Sequence, residues 1–204
     1  ITMKRIYTII LFLSITTIAT TLVAQEKTFM QHITLEVGAG YNLPVSPSRD
    51  NSTMSDYAGF KSFYVGANYD FTDLVGMRLT YGNNSFQDTN NSSLGVTKHK
   101  FMAEATLNIL QGIHKTQTPF EIMAHGGVGL SFGKNKQSSG TDKMGSVQLG
   151  LMPKYRFADN FSVFVDATYV INLKQSFYFD GGAMPDSGDT GHFLMVNLGV
   201  AYSF

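Results

Sequence analysis

Apolar and polar side chains alternate along most of the chain, from Gln31 to the final residue, Phe204. The alternation falls into eight segments separated by polar or glycine-containing connections. A period of two places the apolar side chains on one face of an extended strand and the polar ones on the other. The pattern therefore predicts eight strands, with apolar positions spanning 33–41, 63–71, 75–81, 101–109, 120–132, 147–157, 161–171 and 194–204.

The opposite faces of these segments are small, rich in glycine and poor in charge. Each segment is close to the 9–11 residues or so that a tilted strand needs to cross a bilayer. No stretch after Ala24 could cross as a helix, and an open sheet leaves unpaired edges in hydrocarbon, so a closed barrel is the integral form that remains. We predict an all-β fold for residues 25–204: an eight-stranded antiparallel up-and-down transmembrane β-barrel.

Aromatic residues recur near both ends of the apolar faces, as is typical of the two headgroup layers. One predicted girdle contains Tyr69, Phe71, Phe120, Tyr155, Phe157, Phe161, Tyr202 and Phe204. The other contains Tyr41, Phe63, Tyr81, Phe101, Phe132 and Tyr169. The prediction depends on the repeated position, because any single aromatic residue is equally at home in a protein core.

The connections broadly alternate in length, which is a second indication of a barrel with short periplasmic turns and longer outer loops. The predicted outer loops are 44–59, 83–96, 133–143 and 173–191, and an unknown surface partner could bind there. Short turns are predicted around Thr72 and at 158–160, with an intermediate connection at 111–119. An even number of strands places both ends of the barrel on the periplasmic side.

The first 24 residues follow the order of a secretory signal peptide. Lys4 and Arg5 give a charged start, an apolar stretch follows at 6–18, and Ala24 is the predicted cleavage position. We expect residues 1–24 to be removed; a retained N-terminal anchor is the alternative.

The composition restricts the possible functions more than it restricts the possible folds. The 204 residues carry 15 basic and 15 acidic side chains and no cysteine. Zero net charge argues against a nucleic-acid partner, and the absence of cysteine excludes disulfides, thiolate metal sites and a cysteine nucleophile. We predict no cofactor and no metal. Asp180, Asp186 and Asp189 share one loop, but their spacing fits no known calcium motif, so we expect a solvated loop.

Seven titratable residues fall on the predicted polar faces and form a candidate lumen charge network: Arg78, Glu104, Glu121, His125, Lys154, Arg156 and Asp166. Both signs are present, so these side chains can pair inside a narrow lumen where an unpaired charge is costly. We predict static pairs that fill the lumen, with an ion gate as the alternative.

The last strand carries a more specific pattern. Leu198, Val200, Tyr202 and Phe204 alternate up to the final residue, which resembles the C-terminal signal of outer-membrane barrels. In those proteins the signal is bound by the barrel-assembly machinery. Residues 28–204 resemble the membrane domain of the outer membrane protein A and X families. The stretch Tyr69-Asp-Phe-Thr-Asp-Leu-Val-Gly-Met-Arg78 is similar to the outer membrane protein beta-barrel domain proteins of Bacteroidetes.

The resemblance implies a Gram-negative outer membrane, with its lipid and lipopolysaccharide as surroundings, but no single activity. Small barrels that modify lipid A use a serine, a histidine and an acid, for which His125, Ser131 and the nearby acids are the candidates here. The chain lacks the His-x-Ser-Asn stretch of the deacylases. We therefore predict a non-enzymatic structural or surface-interaction role. The alternatives are a narrow pore, an accessory barrel of a secretion or gliding apparatus, and a lipid A-modifying enzyme.

Overall fold

The computed structural model describes residues 27–49, 53–114, 118–137, 140–185 and 188–204. They form eight strands: β1 Ile33–Ser46, β2 Gly59–Asp70, β3 Val75–Gln87, β4 Gly95–Asn108, β5 Phe120–Asn135, β6 Thr141–Arg156, β7 Phe161–Gln175 and β8 Asp189–Ser203. Two short helices, α1 Lys27–Met30 and α2 Ile109–His114, and a 3₁₀ turn, Met54–Tyr57, complete the described elements. Every strand pairs antiparallel with the next and β8 pairs with β1, so the predicted eight-stranded closed barrel is confirmed.

The seam between β1 and β8 closes the barrel in the predicted phase. Val37 lies opposite Val200, and Leu35 lies opposite Tyr202. Leu198, Val200, Tyr202 and Phe204 all point outward from this seam, and the Phe204 N–H donates to the Ile33 carbonyl. Their recognition by an assembly machinery stays a prediction.

The two faces of the barrel are as the alternation predicts, apolar outside and polar inside. Leu149 and Leu198, on the outer face, are 69% and 68% exposed, whereas the inward-facing Asn172 and Asn197 are fully buried. A soluble protein rarely exposes such a continuous apolar surface, and a bilayer is the solvent in which this face is stable. Among the described residues, no helix combines the length and the apolar character that a membrane crossing requires.

The barrel has two different ends. At the termini end lie the first residues of β1, the last of β8, the tight turns at 71–74 and 157–160, and helix α2. At the opposite end, the loop end, lie the connections β1–β2, β3–β4, β5–β6 and β7–β8. The aromatic residues at the termini end contact one another: the Phe161 and Tyr202 rings are 5.1 Å apart, and the Tyr202 and Phe204 rings 5.0 Å apart.

The predicted bounds of the outer loops are wrong, because the strands continue further than the apolar alternation. The loops occupy 47–58, 88–94, 136–140 and 176–188 instead of 44–59, 83–96, 133–143 and 173–191. Outward-facing side chains need to be apolar only inside the bilayer. Backbone pairing between strands continues beyond it, as between Asn84 and Lys98. At the termini end, Ile109, which the alternation places in the fourth strand, begins helix α2 instead. The predicted signal peptide lies outside the described residues.

The outer face of β6 provides a test of the membrane assignment. Leu149 lies midway along it, and Thr141 lies on the same face at the loop end. We expect Leu149→Arg to lower the free energy of unfolding by about 2–4 kcal/mol, because the charge enters the middle of the hydrocarbon. Thr141→Arg should cost about 0–1 kcal/mol, since the same side chain stays near the interface.

Urea titration in phosphatidylcholine vesicles, with the folded fraction read from the heat-modifiable gel shift, measures both variants. Equal effects of the two substitutions would contradict a bilayer centred on Leu149.

Candidate functional site

The centre of the lumen is occupied by Arg78, whose guanidinium faces three carboxylates from three different strands. Its Nε donates to Glu36 Oε2 at 2.9 Å, and its Nη2 donates to Asp166 Oδ2 at 2.9 Å. Its Nη1 lies 3.8 Å from Glu104 Oε2. Arg78 is on β3, and its partners are on β1, β7 and β4, so the contacts brace the barrel across its interior.

His125 joins two of these carboxylates from β5. Its Nδ1 lies 2.5 Å from Glu104 Oε2, and its Nε2 lies 3.1 Å from Asp166 Oδ1. Both nitrogens can donate to ionised carboxylates only when the imidazole carries two protons. Two hydroxyls complete the shell, because Thr80 donates to Glu104 and Thr168 donates to Asp166.

The cluster approaches local charge balance. Lys100 lies beside it, lining a cavity of about 10 Å³ together with Arg78 and Asp166. Its Nζ donates to Gln148 Oε1 at 2.8 Å. Lys100, Arg78 and a doubly protonated His125 therefore oppose the three carboxylates, which is the condition under which buried ions are tolerated. We call this group the central cluster: Glu36, Arg78, Lys100, Glu104, His125 and Asp166.

Glycines on the inner face make room for these side chains. A Cβ on Gly150 would lie 2.4 Å from His125 Nε2, and one on Gly199 would lie 2.2 Å from the Phe164 ring. Phe164 packs near Tyr64, with 6.1 Å between ring centroids, and Tyr64 in turn lies 5.0 Å below the Arg78 guanidinium. The glycine-rich polar face of the sequence thus reflects the volume of the lumen side chains opposite it.

A second layer closes the lumen at the loop end. The Lys98 ammonium lies 4.3 Å from the Phe179 ring centroid, 5.6 Å from that of Phe86 and 5.5 Å from that of Phe193. Its Nζ also donates to Gln175 Oε1 at 2.5 Å. Cation–π attraction is stronger when the cation is desolvated, and these side chains are almost completely buried. We call this group the loop-end plug: Phe86, Lys98, Gln175, Phe179 and Phe193.

Tyr57, from the 3₁₀ turn, packs against the loop-end plug. Burial, with the nearby Asp88 carboxylate, raises the pKa of Tyr57 to about 12. Asp88 accepts the N–H groups of Asn90 and Asn91 at 2.6 and 2.9 Å, and these hydrogen bonds lower its pKa. At neutral pH Tyr57 therefore stays protonated and Asp88 stays ionised. Neither residue beside the loop-end plug changes its charge there.

The structure brings together four of the seven residues predicted for the lumen network: Arg78, Glu104, His125 and Asp166. The other three lie at the termini end. Arg156 Nη2 donates to Glu121 Oε1 at 2.8 Å, with the Arg156 side chain 48% exposed. Lys154, Glu121 and Arg156 line a cavity of about 360 Å³ that occupies this end of the lumen.

The predicted network lacks Glu36 and Lys100 of the central cluster and Lys98 of the loop-end plug. Glu36 and Lys100 lie on the predicted polar faces, so their phase in the sequence already indicated the lumen. Lys98 is two residues from Lys100 and shares its phase, but it precedes the apolar alternation of that strand. Extending the fourth strand by its phase, and not by its apolar residues, would have found Lys98 as well.

Among the described residues, none offers a nucleophile to His125. Its two ring nitrogens face carboxylates, and Ser131 instead shares a hydrogen bond of 2.6 Å with Ser146. Within the described parts of the chain, no group of three or more histidine and acidic side chains is placed to hold a metal ion. In the loop that carries the three aspartates, Asp180 accepts the Gly182 N–H and pairs with Arg49 at 3.4 Å. Asp186 lies outside the described residues.

Comparison with known proteins agrees with the barrel. A family model described as outer membrane protein beta-barrel domain matches residues 10–204. No curated protein matches the sequence. The crystal structure of neisserial surface protein A superposes with a TM-score of 0.56 at 16% identity, covering 85% of this chain and 97% of that one. This similarity shows the fold.

Two further solved barrels match at lower scores. The N-terminal barrel domain of Pseudomonas aeruginosa OprF gives a TM-score of 0.47 at 19% identity, covering 84% of this chain and 97% of that one. The attachment invasion locus protein Ail of Yersinia pestis gives 0.44 at 12% identity, with 83% and 97% covered.

Arg78 is the residue whose loss should be most costly. We expect Arg78→Met to lower the free energy of unfolding by about 3–5 kcal/mol, because three buried carboxylates then share the remaining cations. Arg156→Met should cost about 0–1 kcal/mol, because that ion pair is partly exposed to water. Urea titration of both variants in the same vesicles measures the difference.

A compensated variant separates charge from packing. Replacing Glu36 by glutamine in the Arg78→Met background should recover part of the lost stability, because Lys100 and a doubly protonated His125 then oppose the two remaining carboxylates. Continued loss in the compensated variant would show that Arg78 acts by its volume alone.

Proposed function

The chain belongs to the outer membrane protein beta-barrel domain family, and we propose that it is a non-catalytic, non-conducting barrel with a structural or surface-interaction role. The observation that carries the proposal is the filling of the lumen by two successive layers. Arg78, in the central cluster, is 1% exposed, and Phe86 and Phe193, in the loop-end plug, are fully buried.

A pore needs a continuous path for water, and the two layers oppose one. Ions passing the centre would have to displace Arg78 from its hydrogen bonds to β1 and β7 and His125 from its contacts with β4 and β7. Separating such desolvated pairs costs several kcal/mol. These contacts support static braces over an ion gate, so the narrow pore is the weaker alternative.

Because the loop-end plug closes the lumen, we place recognition on the outer surface of the barrel. The strands extend beyond the apolar belt, so the four loops stand on a rigid hydrogen-bonded rim, which is the usual arrangement for surface recognition. The open cavity of about 360 Å³ lies at the other end. We place the termini end in the periplasm, because short turns face that side in this class of barrel.

Three finer assignments belong to the same proposal. The charged start, apolar stretch and Ala24 support cleavage of residues 1–24 as a signal peptide. The resemblance around 69–78 supports a source among the Bacteroidetes. The two carboxylate contacts of His125, with no hydroxyl among its hydrogen-bond partners, support the absence of a hydrolytic site over a lipid A-modifying enzyme.

Single-channel recording in a planar bilayer tests the closed lumen. We expect the wild-type barrel to insert without conductance steps, because both layers exclude water, while a general porin under the same conditions conducts. Steps from the wild-type protein that change in Arg78→Met or Glu104→Gln would replace the proposal with a gated pore. A heat-modifiable gel shift on the same sample confirms that the silent protein is folded.

A further inference from the structure

A shallow apolar groove crosses the outer wall of the barrel over β1 to β5. Its volume is about 700 Å³, and its lining includes Ala67, Leu79, Phe101, Ala103, Val128 and Leu130. Ala67 and Ala103 are the register partners of Leu79 on its two sides, and Val128 is the next partner beyond Ala103. The short alanine side chains beside longer neighbours leave the indentation. Its volume lies within the roughly 300–1,000 Å³ of ligand sites.

Polar side chains begin directly above the groove, toward the loop end. Tyr81, which lines the groove, shares a hydrogen bond of 2.9 Å with His99 Nδ1, and Asn83 Nδ2 lies 3.4 Å from the same nitrogen. His99 lies opposite Asn83 on one side and Phe132 on the other. The outer face therefore changes from apolar to hydrogen-bonding side chains between one outward-facing residue and the next. This change marks the depth of the lipid headgroups.

Three basic residues surround Phe132 at this level. His99 and Lys143 are its register partners on β4 and β6, and Lys134 is the next outward residue along β5. Lys134 and Lys143 are thus diagonal neighbours, a spacing of roughly 7–8 Å that lets long side chains reach a common ligand. Neither lysine side chain makes a hydrogen bond or ion pair with another described residue.

Nearby acids do not neutralise this group. Asp142, beside Lys143, points into the lumen and accepts the Ser176 N–H at 2.7 Å. Asp88 interacts electrostatically with Lys61, on β2. The outer wall therefore combines an apolar groove with free positive charge one step above it, facing the lipid.

We propose that this face binds one phosphorylated, multiply acylated lipid of the outer leaflet, with an acyl chain in the groove and a phosphate against His99, Lys134 and Lys143. The proposal rests on the proposed function for the orientation of the loop end toward the outer leaflet. Charge complementarity selects the occupant: a neutral partner leaves both lysines unpaired, and a second copy of this chain would bring the same positive charges together.

The test uses the purified full-length barrel in detergent, titrated with bis-phosphorylated lipid A and read by native mass spectrometry. We expect Lys134→Gln with Lys143→Gln to weaken binding about thirtyfold, because two surface lysines act on the anionic headgroup. Lys134→Arg with Lys143→Arg should retain binding. Arg156→Gln, at the termini end of the barrel, is the charge control and should leave binding unchanged.

A second pair of variants tests the groove. Ala103→Phe fills it with an apolar side chain that the lipid-facing wall accepts, and should weaken binding about tenfold. Ala167→Phe makes the same change on the outer face of β7 and should have no effect. The heat-modifiable shift of each variant verifies folding.

Equal binding by the Ala103→Phe and Ala167→Phe proteins would overturn the proposal in favour of unspecific annular lipid. So would equal affinity for lipid A without its phosphates, or for phosphatidylglycerol. A dimer that Ala103→Phe dissociates would identify a second copy as the occupant instead. A barrel that is silent in the bilayer and fails to bind lipid A contradicts this site alone, whereas a conducting barrel contradicts the proposed function.

Discussion

The pairing of one guanidinium with three buried carboxylates is the interaction on which the rest of the lumen depends. Each ion carries a desolvation penalty of several kcal/mol, which only close and complete pairing offsets. Arg78 offers several donors in a planar fork, so it can reach Glu36, Glu104 and Asp166 together. A lysine in its place presents a single charged nitrogen, and its three donors could not span these strands.

Space in an eight-stranded barrel makes this pairing demanding. The interior is just wide enough for side chains, so each large residue needs a small one across from it. Gly150 accommodates His125, and Gly199 accommodates Phe164. A register slip of one residue would turn the inward residues of the slipped strand outward, such as Arg78 on β3 or Gly150 on β6. The central cluster therefore specifies the register as well as filling the space.

The sequence predicted the parts of the fold that depend on the phase of a strand and missed those that depend on depth and register. Eight segments, the inward Arg78 and His125, and the outward Leu149 all follow from period-two alternation. The ends of the strands do not, because backbone pairing continues past the bilayer where Lys98 already faces inward. Which charges meet was also beyond the sequence: Glu121 and Arg156 share the phase of the cluster but lie at the termini end, a separation set by register along β5 and β6.

The filled lumen has a consequence for the outer wall. Because the inner faces are fixed by charge pairing and by the loop-end plug, the outer faces of β2 to β5 are held on a rigid sheet with constant spacing. The distance from Leu130 in the groove to Phe132 and Lys134 is then a property of one strand, and Lys143 follows by register. Rigid placement lowers the ordering cost of binding. In a barrel with a flexible interior, each lipid contact would have to order the wall first. The filled interior therefore favours selective lipid binding on the outer face.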